Sequence, residues 1–287
     1  MEKFKEKVKS YRRHPGSFLL LLLVVISAVF TVAVLLYIIA YILIHGVPYL
    51  TPELFAWEYN SENVSMLPAI LNTLIITLLS LIVAVPLGIG AAIYLVEYAK
   101  RGSRLVKLVR LTAETLTGIP SIIYGLFGML FFVTYLHWGY SILAGAATLA
   151  IMVLPVIMRT TEEALLCVPD SYREGSFGLG AGRLRTVFCI VLPSAIPGIL
   201  SGVILAVGRI VGETAALIYT SGTVAKLVPN LMASGRTLAV HMYSLSREGL
   251  YTNQAYATAV VLLVIVLIIN GISTLIARKF TKGDNNI

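Results

Sequence analysis

Long apolar runs separated by short polar ones dominate this chain. Six of them are long enough to cross a bilayer as helices: 18–44, 68–96, 111–136, 140–158, 191–219 and 256–277. The pattern predicts an all-α membrane protein with about six transmembrane helices, because helices satisfy their own backbone in lipid. The polar breaks then suggest an orientation. Lys3, Lys5, Lys7, Lys9, Arg12 and Arg13 precede the first run; Lys100, Arg101, Arg104, Lys107 and Arg110 follow the second. Arg159, Arg173, Arg183 and Arg185 lie between the fourth and fifth, and Arg278, Lys279 and Lys282 after the sixth. Segment 45–67 instead carries Glu53, Glu58 and Glu62 with no lysine or arginine. By the positive-inside rule both termini, 97–110 and 159–190 are cytoplasmic, while 45–67, the Trp138-Gly139-Tyr140 turn and 220–255 are outside. The last of these holds Lys226, Arg236 and Arg247, and is expected to contain a short amphipathic or re-entrant helix over 226–245.

The first run is too long for a signal-peptide core and has no A-x-A site, so it reads as a retained membrane helix. Residues 1–17 form a cytoplasmic segment, 18–280 the membrane domain, and 281–287 a tail expected to be disordered from Lys282 to Asn286. Proline and glycine interrupt several runs: Pro86, Gly88 and Gly90; Gly118, Pro120, Gly125 and Gly128; Pro155; Pro193, Pro197 and Gly198. A proline frees a carbonyl that must face protein or water inside a membrane. Gly198/Gly202 and Gly208/Gly212 have the spacing that lets helices approach closely.

Composition agrees with a bilayer environment. The 287 residues are 58% hydrophobic and only 13% charged, about half the charge of a soluble domain, and mean hydropathy is +0.89. The net charge of +8 follows from basic flanks of membrane spans, so nucleic acid is not implied. Cys167 and Cys189 form no CxxC pair and read as small apolar filler.

Charges inside the runs are the candidate chemistry. Arg209 and Glu213 sit one turn apart in the fifth run, where each costs on the order of 2.5–3.5 kcal/mol to insert. They should share a face toward a bundle interior or an aqueous path. Two readings stay open: an ion pair fixing a helix interface, or a guanidinium offered to an anion in transit, with Glu213 keeping the attraction weak enough for release. Thr214, Tyr219, Thr220 and Ser221 extend the polar stripe. A guanidinium fork suits tetrahedral oxyanions. Arg110 and Glu114 repeat the spacing at an interface and suggest a structural or gating role. Asn72, Thr73 and Thr77, and Asn270, read as interhelical hydrogen-bonding groups. No P-loop is present, Gly178 to Gly182 follows no strand and is no dinucleotide fingerprint, the four histidines are scattered, and neither Asp170 nor Asp284 lies in a run. Metal binding and an enzyme are therefore unsupported.

The polar, glycine-rich stretch over 159–190 carries Glu174-Gly175-Ser176, then Gly180, then Ile190-Val191-Leu192-Pro193. This spacing resembles the EAA loop of bacterial ABC-importer permeases, in which a short helix docks into a cleft of a separate ATPase. The usual triplet reads Glu-Gly-Ser here; both replacements are small, and Gly175 weakens the helix by up to about 1 kcal/mol. From Asn72 onward the chain is similar to the PstA-type permeases of phosphate importers. The resemblance is carried by Leu71 to Leu74, Pro86-Leu87-Gly88, Ala91 to Tyr98, the run Gly118-Ile119-Pro120-Ser121-Ile122-Ile123-Tyr124-Gly125-Leu126-Phe127-Gly128, and Arg209-Ile210-Val211-Gly212-Glu213-Thr214-Ala215.

The resemblance implies a type I (MetI-like) permease fold, with a core over 68–277 and a coupling loop over 159–190, in a bacterial or archaeal cytoplasmic membrane. It implies substrate-path roles for Arg209, Glu213 and Thr214, and ATPase coupling through Glu174, Gly175, Ser176, Gly180, Leu192 and Pro193. Gating or structural roles fall to Arg110, Glu114, Pro120 and Asn72. The implied partners are a PstC-like sister permease, a PstB-like ATPase dimer that holds ATP and magnesium, and a PstS-like extracytoplasmic phosphate-binding protein. This chain would hold no cofactor. The alternatives are the sister phosphate permease, a permease for molybdate or sulfate, and, from another class, an ion-coupled carrier. The carrier would need buried ionisable groups on several helices and leaves the polar loop unexplained.

Overall fold

The structure is a computed structural model that describes residues 15–100 and 102–283. The basic cluster before residue 14, Arg101 and the tail after 283 lie outside the described residues. Among the described residues ten helices and two short 3-10 turns, Val47–Tyr49 and Pro52–Phe55, follow one another, with no strand. The helices are α1 (Pro15–Gly46), α2 (Leu67–Tyr98), α3 (Arg104–Thr117), α4 (Ser121–Tyr135) and α5 (Ile142–Leu166). Then come α6 (Asp170–Gly178), α7 (Arg183–Val211), α8 (Ala215–Ile218), α9 (Leu238–Glu248) and α10 (Thr252–Gly283). Five helices are long and apolar enough to cross a membrane, and six if the bent pair α3–α4 counts as one. The chain is a multi-pass membrane protein.

α5 is the axis of the bundle. Its apolar window is 67% buried, whereas that of α1 is 0% buried. Small buried residues of α5, among them Ala144, Gly145, Ala146 and Ala150, let its neighbours, α2 and α7 foremost, close on it. The shared core contains Ile76 of α2, Leu149, Met152 and Ile157 of α5, Ile210 of α7 and Leu217 of α8. A second cluster, with Leu165, Val168, Val187, Val191 and Ile199, fills the end of the bundle next to α6. Gly198 is required by proximity: a Cβ there would stand 2.6 Å from the Ala164 Cβ of α5. Gly202 meets Thr160 in the same way, so this pair is a packing pair. Gly208 faces open space, so the same spacing carries no contact there. α1 runs along α10, where Tyr41 stacks on His45 at 4.1 Å and meets Tyr256 at 5.9 Å.

Three spans differ from the apolar pattern. The third is broken: α3 and α4 meet at 101°. Pro120 lacks an N–H and disfavours helical geometry at Ile119, so the helix stops at Gly118 and restarts after Pro120. The Tyr124 hydroxyl donates to the Leu116 carbonyl at 2.8 Å and ties the two arms together. The fourth span runs on to Leu166, because Thr160 to Glu163 continue the helix past the apolar face. The fifth begins at Arg183 and ends at Val211, earlier than hydropathy suggests.

Segment 212–237 folds back over the end of the bundle opposite α6. Its carbonyls accept from the first turn of α5: Ser141 N–H to Thr220 at 3.0 Å, Ile142 to Ala233 at 3.1 Å and Leu143 to Leu231 at 2.9 Å. Donors that a helix start leaves open are thereby satisfied. Asn72 pins the same segment. Its side chain donates to the carbonyls of Lys226 (2.9 Å) and Arg236 (3.2 Å), and Thr73 Oγ1 accepts from the Leu238 N–H at 2.9 Å. Of the helix expected over 226–245, only the part from Leu238 on, within Leu238–Glu248, forms; residues 226–237 follow these bonds instead. Asn72→Leu, which leaves two carbonyls without a buried donor, is expected to lower stability by about 2 kcal/mol, read as a fall in the thermal midpoint of the detergent-solubilised protein.

Candidate functional site

Three groups of residues are candidates for a functional site: the α6 end, the charges beside α3, and the break after α7.

α6 starts after Pro169 and stops at a glycine. Gly180 has φ +82°, a left-handed value that suits glycine. Its N–H donates to the Phe177 carbonyl at 2.9 Å, and the Ala181 N–H to the Ser176 carbonyl at 3.1 Å. This is the Schellman closure of a helix C-terminus. Ser176 is buried and its Oγ bonds Thr186 Oγ1 at 2.8 Å, which ties α6 to the start of α7. Glu174 and Gly175 are exposed, and Leu179 is 92% exposed, beside exposed Tyr172, Phe177 and Leu184. Such an apolar knob on a polar loop is a candidate contact surface. Leu192 and Pro193 are not in the loop; they lie within α7, after a π-helical turn at Val187–Val191, and Leu192 packs into the cluster behind α6. The non-helical part of 159–190 is thus confined to a few residues on either side of α6. Cys167 and Cys189, expected as packing filler, are exposed.

Arg173, which sequence reasoning used only to orient the chain, is the anchor of α6. Its guanidinium bonds Glu97 at the end of α2 (2.8 Å), the Leu165 carbonyl of α5 (2.9 Å) and the Val168 carbonyl (2.8 Å). It also meets Asp170 at 3.2 Å. Side-chain exposure is 14% for Arg173 and 9% for Glu97, so the pair is held away from water. One residue of α6 therefore grips two spans. The available signal was Glu97, an acidic residue closing an apolar run.

Arg110 and Glu114 do not pair with each other. Arg110 reaches Glu162 of α5 at 2.5 Å, and Glu114 reaches Arg159 of α5 at 3.4 Å. The 101° turn lays α3 across α5, so both charges point at that helix. The spacing of the two residues was legible, but their partners lie some 50 positions away. Pro120 makes the turn, and Leu105, Leu108 and Leu111 remain exposed on α3.

At the third site the helix ends between the two charges. α7 stops at Val211, and the Gly212 N–H and Glu213 N–H close back on Gly208 (3.2 Å) and Ile210 (3.2 Å). Glu213, 8% exposed, turns its carboxylate to the Ala216 N–H at 3.1 Å and caps α8. Arg209 is half-buried. Among the described residues it forms no ion pair or hydrogen bond within the chain, and the Tyr124 phenol of α4 lies within reach of its charge. The expected Arg209–Glu213 pair is absent because one residue is the last turn of a helix and the other lies beyond its end. Thr214 lines an apolar cavity of about 660 Å³ between α8, α9 and α10, with Tyr219, Tyr256 and Arg247 in its wall. Among the described residues no group of histidine, cysteine and carboxylate side chains could hold a metal.

The chain is similar to known proteins. Residues 84–282 match the family described as "Binding-protein-dependent transport system inner membrane component". The probable ABC transporter permease protein YqgI of Bacillus subtilis is 32% identical over 90% of this chain and 95% of its own. The phosphate transport system permease protein PstA of Haemophilus influenzae is 32% identical over 93% and 96%. PstC of Mesorhizobium japonicum is 31% identical over 79% and 77%. Among solved structures, a chain of a bacterial alginate ABC transporter superposes with TM-score 0.69 at 17% identity over 95% of this chain and 98% of that one. A chain of the MetNI methionine transporter gives 0.57 at 20% over 75% and 94%. Together with the bent α3–α4 pair and the α6 loop, these similarities identify the chain as a member of the binding-protein-dependent transport system inner membrane component family, a permease subunit of an ABC importer.

Proposed function

We propose that this chain is one of two membrane subunits of an ATP-driven phosphate importer, the other being a PstC-like sister. The observation that carries the phosphate reading is Arg209: a half-buried guanidinium on the helix that ends at Val211, with its acidic neighbour turned away to cap α8. A cation without a partner among the described residues is available to an anion, and its fork fits two oxygens of phosphate. The PstA relatives at 32–34% identity support the same cargo. In this reading the α6 end is cytoplasmic, with Lys100, Lys107, Arg110 and Arg183 around it, and the end bearing Glu53, Glu58 and Glu62 faces outward.

The exposed apolar knob around Glu174, Gly175 and Leu179 then docks on a PstB-like ATPase, where ATP and magnesium are held. ATP-driven closure pushes α6, and Arg173 passes the push to α2 and α5 together. A PstS-like binding protein delivers phosphate at the opposite end. An ion-coupled carrier would need no α6 anchor of this kind. Reconstituted with its sister, ATPase and binding protein, the complex is expected to hydrolyse ATP faster with phosphate than with sulfate or molybdate. Stimulation by sulfate or molybdate alone would reassign the cargo, and purification without any ATPase would remove the importer reading.

A further inference from the structure

At the end of the bundle opposite α6, Arg236 is a buried cation with unmet donors. It is 5% exposed, and its Nε and Nη2 find no hydrogen-bond acceptor among the described residues. A buried guanidinium is ordinarily paired, because leaving such a group unpaired is costly. Its backbone is fixed from both sides, with its N–H on the Val224 carbonyl at 3.0 Å and its own carbonyl accepting from Asn72 at 3.2 Å. The guanidinium lies over the Tyr59 ring, 4.7 Å from the centroid, which sets its plane. His241, fully buried beside it, adds no second positive charge: burial first, and the Arg236 charge second, hold its pKa down at about 3, so it is neutral.

Arg236 also forms part of the wall of a cavity of about 410 Å³ between α8 and α9, together with Thr223, Tyr243, Ser244, Arg247 and Glu248. Two guanidiniums and two small hydroxyl side chains face one carboxylate, and Arg247 and Glu248 form no ion pair among the described residues. Arg247 and Tyr243 are shared with the larger cavity that holds Thr214 and Tyr219. The two spaces adjoin, and the second ends beside the α7 break.

We propose that the cavity between α8 and α9 is a binding site for a tetrahedral oxyanion, inorganic phosphate on the reading above, with Arg236 and Arg247 as its ligands, placed ahead of Arg209 on the inward route. The site accounts for the orphaned donors of Arg236, and Glu248 limits how tightly the anion is held. Arg236 lines the wall and its Nε and Nη2, out of solvent contact without the anion, turn to it on binding, while the exposed Arg247 closes on the anion from α9.

The test is equilibrium binding of radiolabelled inorganic phosphate to the full permease–ATPase complex in nanodiscs, without binding protein and in an Arg209→Gln background that removes the deeper cation. Saturable binding is expected. Arg247→Gln, on an exposed side chain that folding does not need, should weaken it by about tenfold or more, Arg236→Gln by at least as much, and Glu248→Gln should tighten it several-fold. Opposite signs at neighbouring residues are not produced by general misfolding. Unchanged phosphate affinity in all three variants, in a complex whose wild type imports phosphate, would overturn the site and leave the importer reading standing. Weaker docking of the binding protein with unchanged phosphate affinity would also overturn it, because the arginines would then be a protein contact. A wild-type complex that imports sulfate or molybdate but not phosphate would remove both readings together.

Discussion

Arg209→Gln is expected to lower phosphate uptake by the reconstituted complex by roughly 30- to 150-fold, with assembly and basal ATP hydrolysis kept. The size follows from one charge-assisted interaction of about 2–3 kcal/mol, at 1.4 kcal/mol per factor of ten. Assembly should survive because Arg209 forms no ion pair or hydrogen bond within the chain among the described residues, so nothing inside the bundle loses a partner. Glutamine keeps a polar stem of similar reach and removes the charge alone. Arg209→Lys should fall between the two, since an ammonium keeps the attraction and loses the two-point fork. Glu213→Gln should behave differently. Its amide oxygen can still accept from the Ala216 N–H that the carboxylate now caps at 3.1 Å, so uptake should change by much less. Initial rates of phosphate entry into proteoliposomes, normalised to ATPase content, make the comparison. Wild-type uptake by Arg209→Gln would reduce Arg209 to a packing residue and remove the observation on which the phosphate cargo rests.

Hydropathy set the number of spans well because insertion in lipid depends on length and apolarity, which are local. It placed their ends less well where local chemistry overrides apolarity. The 111–136 run is apolar enough to be one span, yet Pro120 turns it by 101°. The run to Tyr219 continues in hydropathy past Val211, yet Gly212 and Glu213 end the helix there. Of the candidate residues, placement alone was legible: Gly180 sits at a left-handed helix stop that suits its type, and Glu174 and Gly175 lie exposed on α6, as their polar, small character suggests. Pairings were not legible. Spacing i, i+4 suggested Arg110–Glu114 and Arg209–Glu213, but it assumes a continuous helix with no better partner. α5 offers Glu162 and Arg159 to the first pair, and the helix end separates the second. In the sequence Arg173 serves only as a topology marker and Arg236 only as an exception to the charge rule, because their significance lies in burial, which depends on residues far away: Glu97 for one, Tyr59 and Asn72 for the other.

Arg173→Met is expected to uncouple transport from ATP hydrolysis, cutting phosphate imported per ATP by about tenfold or more while the ATPase still binds. The exposed surface of α6, with Glu174, Gly175 and Leu179, is untouched by the change, so docking can persist. What is lost is the grip on the bundle: two carbonyls, of Leu165 and Val168, and the carboxylate of Glu97. Glu97, with a side chain 9% exposed, is left as a buried charge without its partner, which costs about 3–5 kcal/mol. Arg173→Met alone should therefore lower the thermal midpoint as well as coupling. The double substitution Arg173→Met with Glu97→Leu separates the two effects. It removes the stranded carboxylate and should recover most of the stability. It does not restore the bonds from α6 to the end of α5, so coupling should stay low. Full recovery of transport in the double variant would mean that Arg173 serves stability alone, and unchanged transport per ATP in the single variant would mean that force reaches α2 and α5 by another route. Low coupling in a stable double variant is the outcome that a merely structural arginine cannot give.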